Sequence, residues 1–372
     1  MAKTILGIDV GHDQLKLALV KGKRVLRTVT ADMPENLMRE NRITSRDSLA
    51  ELLRSTMKQN KIRANAAAFV LPNESVFIKN VDIPPMSAEQ LEYNLPFEFN
   101  DDITGDRRDY VFDYAVISDP PPETAGKKAK KPRRKKKKSA EDDFDDFADD
   151  MDDAAEAAAD ADVANQEEAH IELMAVGAPR SLVEDARDTL RKAGLRMVVT
   201  APAICSYIEL IRCQQEFLSG AGDEYGILDL GHESIRMYMF RKDRHVATRV
   251  LEVGMSRLDD VLADAYGVDV HLAHTYLMSN YENCQEREEC MAAYESIAVE
   301  LMRAMNFYRF SNPDSALSDL WACGGGAVIP PLSQTIGEML DIQLHPASEL
   351  VPGGDDVESC NTFVQAIGLA LS

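Results

Sequence analysis

Among the six cysteines, Cys205, Cys213, Cys284, Cys290, Cys323 and Cys360, there is no Cys-x-x-Cys pair and no histidine at zinc-finger spacing, which excludes a sequence-local zinc module. Several of them sit inside apolar stretches, where a free thiol behaves as a small hydrophobe, and a reducing, cytosolic setting is expected. No window reaches 18 consecutive apolar residues, so the sequence is not expected to span a membrane by itself. The opening "MAKTILGIDVG" lacks the apolar core and cleavage site of a signal peptide and reads as a first β-strand. Positive charge is also scarce. With 41 Lys and Arg against 63 Asp and Glu the net charge is −22, which disfavours affinity for nucleic-acid phosphates. What the chain does have is length and apolar content: 372 residues, 45% of them hydrophobic, suffice for two or more domains.

The clearest break in organisation runs from 119 to 168. A proline cluster is followed by ten basic residues between Lys127 and Lys138 and then by twelve acids between Glu141 and Asp162. Such blocks cannot bury enough apolar surface to offset chain entropy, so a disordered insertion is expected. Its basic half could meet anionic lipid, or the two halves could form a solubilising polyampholyte; Phe144 and Phe147 leave room for a short partner motif. Strand patterns on both sides, "DYVFDYAVI" and "IELMAVGAP", place it in a loop of one small subdomain.

Before the insertion, "TILGIDV" and "LKLALVKGKRVLRTVT" read as strands, and "SRDSLAELLRSTMKQNKI" as a helix with Leu49, Leu52, Leu53 and Met57 on one face. "AAAFVLP" is a buried strand closed by Pro72; Ser87 and Gln90 have capping-box spacing for a short helix that Pro96 interrupts. After it, Ser181 and Glu184 are expected to cap a helix that Gly194 ends. "YGILDLGHESIRMYMF" and "RHVATRVLEVG" then suggest three strands, ahead of a helical stretch from about 256 to 310. Strand pairs followed by helices in both halves predict a mixed α/β fold with internal pseudo-symmetry.

The symmetry is carried by one turn written twice. "GIDVGHDQLKLALV" at 7–20, shifted by 220 positions, overlies "LDLGHESIRMYMFR" at 228–241. Asp9, Gly11, His12, Asp13, Gln14 and Lys16 thereby meet Asp229, Gly231, His232, Glu233, Ser234 and Arg236. In each copy a strand ends in Asp, a glycine and three polar residues follow, and a second strand begins. Such a hairpin exposes consecutive backbone N–H groups, which suit phosphate oxygens. Asp9 and Asp229 at the strand ends make sense beside phosphates if Mg2+ lies between. A third element, Gly324, Gly325 and Gly326, follows the strand "LWAC" and precedes a helix that Pro331 could start.

These three elements, in this order, resemble the actin-like ATPase superfamily, whose two phosphate loops and glycine-rich adenosine motif are spaced in a similar way. Within it the chain looks like the PilM-type pilus assembly ATPases, relatives of the cell-division protein FtsA. The narrower resemblance is carried by "DIPPMSAEQLEYNLPFEFNDDI", "VFDYAVI", "VELMRAMNFYRFSNP" and the terminal "FVQAIGLAL". It implies an actin-like, ribonuclease H-like duplicated fold. Residues 1–78 with 200–220 would form the first lobe, and 79–199 an inserted partner-binding subdomain. Residues 221–372 would form the second lobe, with a helical subdomain at about 256–317. ATP and Mg2+ are the implied cofactors. The phosphates would meet the turns from Asp9 to Lys16 and from Asp229 to Ser234, the metal Asp9 and Asp229, and the adenosine Gly324, Gly325 and Gly326. Glu300 and Arg303, on one helical face, are implied for ribose or adenine.

The implied role is a cytoplasmic scaffold of a type IV pilus or related secretion machine. It would sit peripherally at the inner face of the membrane by gripping the cytoplasmic tail of a single-pass, PilN-like membrane protein. Homo-oligomers are compatible with it. The sequence stops at "GLALS" without an amphipathic helix, which argues against an FtsA-like anchored filament. A sugar or acetate kinase would need an acidic catalytic residue and a substrate pocket that no motif supplies, and no general base for water can be named, so hydrolysis is left unassigned. One departure from the family stands out: it has small hydroxyl residues where His12, Asp13 and Gln14 stand, and the second turn carries His232 and Glu233. A carboxylate about 4 Å from a phosphate charge costs on the order of 4 kcal/mol at an effective dielectric near 20. Either Asp13 and Glu233 point away, or a metal intervenes, or the chain is a nucleotide-free interaction protein.

Overall fold

The computed structural model describes residues 3–34, 37–39, 42–118, 170–214, 223–242, 244–353 and 360–372; the expected disordered insertion, 119–168, lies outside them. Two compact units are present, Met1–Val76 with Pro179–Ser372, and Phe77–Ala178.

The larger unit is built on two five-stranded sheets of matching design. The first has β1 (Thr4–Val10), β2 (Gln14–Lys21) and β3 (Arg24–Asp32) as an antiparallel meander, with β6 (Ala66–Leu71) parallel to β1 and β10 (Arg196–Pro202) parallel to β6. Its order is β10-β6-β1-β2-β3. Between β3 and β6 lie the two-residue strands β4 (Met38–Arg39) and β5 (Arg42–Ile43) and helix α1 (Arg46–Gln59). β6 is buried at every position, as a strand flanked by parallel neighbours and covered on both faces should be. The second sheet repeats the pattern as β13-β12-β11-β14-β15, from β11 (Glu224–Leu230), β12 (Ile235–Arg241), β13 (Arg244–Leu251), β14 (Asp319–Cys323) and β15 (Gln343–Pro346).

The smaller unit has a three-stranded sheet in the order β7-β9-β8, from β7 (Phe77–Ile83), β8 (Tyr110–Ser118) and β9 (Ile171–Pro179). It carries α2 (Ala88–Asn94), which opens on the expected capping box of Ser87 and Gln90 and gives way to a 3-10 turn at Leu95–Phe97. Val81, Leu91, Leu95, Phe99 and Leu173 form its core.

The chain enters the larger unit again sooner than 199. Helix α3 (Arg180–Lys192) packs on α1, and β10 pairs with β6, Arg196 opposite Ala66 and Pro202 opposite Leu71. Residues 179–199, expected in the inserted subdomain, therefore complete the first sheet and its helical cover. Nor do Ser181 and Glu184 cap α3: the strand runs straight into the helix at Pro179, with no side-chain cap.

The helices α4 (Ala203–Cys213) and α9 (Val364–Leu371) pack on each other, and α9 lies on β1, β2 and β6. Contact with β1 is very close. A Cβ on Gly7 would fall 1.8 Å from the Ala366 carbonyl oxygen, and one on Gly368 2.3 Å from that of Ser206. Against the second sheet pack α5 (Ser256–Tyr266), α6 (Val270–Ser279), α7 (Glu288–Ser311) and α8 (Pro330–Leu340), around a core that includes Leu258, Leu277, Tyr294 and Leu301.

Candidate functional site

In each hairpin two paired strands are joined by a tight turn. In the first, Asp9 faces Lys16 across the ladder and Val10 faces Leu15; in the second, Asp229 faces Arg236 and Leu230 faces Ile235. The glycines serve close approach. Neither Gly11 nor Gly231 has a positive φ, contrary to the unusual backbone expected of a phosphate nest. A Cβ would instead fall 3.0 Å from the Gln14 carbonyl oxygen in the first turn and 2.6 Å from that of Ser234 in the second. The first turn is tied by Gly11 N–H donating to Gln14 O at 2.9 Å and Met33 N–H to Asp13 O at 2.8 Å. The second is held by the start of α5, where Met255 N–H and Ser256 N–H donate to the carbonyls of Gly231 and His232.

The turns face each other across a cleft of about 180 Å³. From the first hairpin it is lined by Asp9, Gly11, His12, Asp13, Gln14 and Lys16; from the second by Asp229, Gly231, His232, Glu233 and Ser234. Gly324 and Gly325 complete it, together with Asn73, Glu74, Arg236, His274 and Gln365, none of which the sequence singled out for the site. Gly324 adopts φ 88°, and a Cβ there would lie 2.6 Å from Leu230 O and 2.8 Å from Asp229 Oδ1, whereas Gly325 faces open space. Gly326 lies under Met255 and Leu230, outside the lining. Glu300 and Arg303 do not line the cleft either: they pair with each other at 2.5 Å on an exposed face of α7.

At the base, Asp229 is 5% exposed and accepts from Gln365 Nε2 at 2.8 Å, while the same amide donates to Tyr207 Oη at 3.0 Å. Burial pushes Asp229 up to about 6; Lys16 opposes the rise, Asp9 adds to it, and hydrogen bonds from Tyr207 and Gln365 oppose it. Asp9 is raised by burial too, with Lys16, 3.9 Å away, pulling the other way. Arg236 is engaged by Glu74. One buried carboxylate and one mostly buried one thus share a nearby lysine, a surplus of negative charge suited to a divalent cation.

At the mouth the tips touch. The rings of His12 and His232 stack with centroids 5.2 Å apart and planes 10° from parallel. Asp13 Oδ2 lies 2.7 Å from His232 Nδ1; Glu233 Oε1 lies 3.6 Å from His12 Nε2 and 3.4 Å from His232 Nε2. Behind them His274 Nδ1 sits 3.0 Å from Asp259, a carboxylate buried between α5 and α6. Burial alone would depress His232, but the contact with Asp13 and the charges of Asp13, Asp259 and Glu233 raise it above the ordinary imidazole range. Burial likewise favours a higher value for Asp13, and His232, His274 and His12 outweigh it. Asp13 and Glu233 are therefore occupied by histidines.

The sequence profile of the family described as type IV pilus assembly protein PilM matches residues 7–130 and 160–371. The chain belongs to this family. Among solved structures it is similar to one described as the PilM-PilN type IV pilus biogenesis complex, at 20% identity and a TM-score of 0.74, covering 99% of this chain and 97% of that one. It is also similar to the ethanolamine utilization protein EutJ from Carboxydothermus hydrogenoformans, at 12% identity and a TM-score of 0.54, covering 100% of this chain and 89% of that one. Among curated proteins none matches. The matching five-stranded sheets are the two halves of the actin-like, ribonuclease H-like duplicated fold that the sequence predicts.

Proposed function

We propose that this chain is a nucleotide-binding scaffold of type IV pilus assembly, held at the inner face of the membrane by the cytoplasmic tail of a PilN-like protein. No helix among the described residues is long and apolar enough to cross a membrane, so attachment through a partner is the reading that family membership favours. The observation that carries the nucleotide half is the base of the cleft, where Asp9, largely shielded, and Asp229, buried, are both raised while Lys16 lies beside them. Mg2+ fits that donor set: oxygen ligands suit it, and it commonly binds through one or two carboxylates while keeping waters and phosphates as the rest of its shell. Bound there, it would offset phosphate charge; Lys16 would hold a phosphate oxygen, and Gly325, free of neighbours, would admit the adenosine close to backbone. Glu300 and Arg303 would have to break their mutual pair to join.

A second reading rests on the mouth. The cleft's 180 Å³ is below the roughly 300–1,000 Å³ of small-molecule sites, and the His12–His232 stack narrows it. Nucleotide entry therefore requires the tips to part; in a nucleotide-free scaffold they never do. Titrating a fluorescent ATP analogue into the full chain, with and without Mg2+, separates the two. Mg2+-dependent binding, weakened at least about tenfold in Asp9→Ala, is expected; no binding to folded wild type would leave the nucleotide-free scaffold.

The tail half is assigned to the smaller unit, where Tyr93 is 72% and Phe97 43% exposed, their rings 5.9 Å apart. Large exposed aromatics of this kind mark peptide-docking surfaces. Short cytosolic tails of membrane proteins encoded beside this gene are the peptides to test, and binding that is insensitive to Tyr93→Ala would place the tail elsewhere.

A further inference from the structure

We infer that the tips of the two hairpins form a site for a zinc-class transition-metal ion, with His12, His232 and Glu233 as its ligands and Asp13 as the residue that orients His232. This site is separate from the Asp9 and Asp229 base and does not depend on nucleotide binding.

One ring nitrogen of each histidine and one Glu233 oxygen all lie within 4.8 Å of one another. The two measured edges of that triangle, 3.4 and 3.6 Å, are too long for good hydrogen bonds. They are close to the spacing of neighbouring ligands around tetrahedral zinc: ligand bonds of roughly 2.0–2.2 Å give an edge of roughly 3.3–3.5 Å. Two imidazoles and a carboxylate are also the protein ligands of an open zinc site, which keeps a fourth position for water or another oxygen.

The surroundings match a metal's outer layer. Asp13 Oδ2, 2.7 Å from His232 Nδ1, makes no aligned hydrogen bond to that nitrogen but is near enough to accept its proton once the ring turns into line, which would leave the Nε2 lone pair toward Glu233 in the carboxylate–histidine arrangement found behind zinc ligands. Asp259, buried and 3.6 Å from the same nitrogen, adds a second negative group beneath. The ligand side chains are 20–44% exposed, so an ion can reach them; the rings, stacked with planes 10° from parallel, must rotate out of the stack for both lone pairs to meet one ion. With two ligands from the second hairpin and one from the first, a bound ion would fasten the two sheets together at the cleft mouth. An oxygen of a phosphate could take the open position.

The test is direct titration of the full chain, freed of metal with a chelator, with Zn2+ by calorimetry and with Co2+ by visible absorption. Expected are one equivalent of Zn2+, the intense bands of tetrahedral cobalt, and little competition from Mg2+. His12→Ala and Glu233→Gln, at turn positions outside the core, should each weaken Zn2+ at least tenfold and remove the cobalt bands, and Asp13→Asn should weaken it roughly ten- to a hundredfold. No Zn2+ binding by folded wild type, or binding that the three substitutions leave unchanged, as cysteine ligation would give, overturns the assignment.

Discussion

Asp229→Asn should make the isolated protein more stable while removing Mg2+-dependent nucleotide binding. The carboxylate is 5% exposed, and burial lifts it from 3.8 to about 6 in spite of Lys16 and of the hydrogen bonds from Tyr207 and Gln365. A folded-state value above the unfolded one means that the native state holds the proton more tightly. Stability from this group is then full below pH 4 and falls as pH rises through about 6. A gap of about two units, at about 1.4 kcal/mol each, gives about 3 kcal/mol of strain above pH 7. Asparagine removes the charge, keeps an oxygen for the Gln365 amide, and has nearly the same volume. Urea unfolding at pH 5 and pH 8 measures the effect. The variant should gain about 3 kcal/mol over wild type at pH 8 and about half of that at pH 5, with an unchanged denaturant slope. A variant less stable than wild type at pH 8 would show that the ionised carboxylate is well compensated by the protein, and that the base of the cleft holds no charge surplus for a divalent cation to offset.

Two further predictions concern the frame around the cleft. Gly7→Ala would push a methyl to within 1.8 Å of the Ala366 carbonyl, and since overpacking typically costs about 1–3 kcal/mol or more, it should lower the urea midpoint and loosen α9, with Gln365 on it. His245 in β13 is pushed down to about 4 by burial, from 6.5. Its unfolded form takes a proton first, so stability present above pH 6.5 is lost as pH falls toward 4, by about 3 kcal/mol. His245→Gln should lack that loss when wild type and variant are compared at pH 7 and pH 4.5; parallel losses would mean that the imidazole is already solvated.

What could be read from the sequence was what is local or repeated. The Asp-x-Gly-His turn was visible because it recurs at an offset of 220, and the duplicated sheets follow from it. β6 was visible as an unbroken apolar run and α2 by its capping box. Pairings that join distant segments were not. β10 meets β6 across about 130 residues, and nothing near 196 announces that it adds to the first sheet. His274 reaches the cleft, with Asp259 behind it, only through the packing of α5 and α6. Gln365 did leave a trace, as the one amide in the apolar run "FVQAIGLAL", and it is the residue that holds Asp229.

The acids in the turns are the instructive failure. Considered one hairpin at a time, Asp13 and Glu233 oppose a phosphate. With both hairpins in place each acid meets a histidine of the opposite copy: Asp13 faces His232, and Glu233 faces His12. The exchange is reciprocal because the two sheets are related by the same pseudo-symmetry as their sequences, so each tip's histidine-acid pair is complemented by the other's. The acid is costly only in a single hairpin. In the duplicated fold it gives the cleft mouth a mutual electrostatic contact, and whatever enters, phosphate or metal, must compete with that contact or use it.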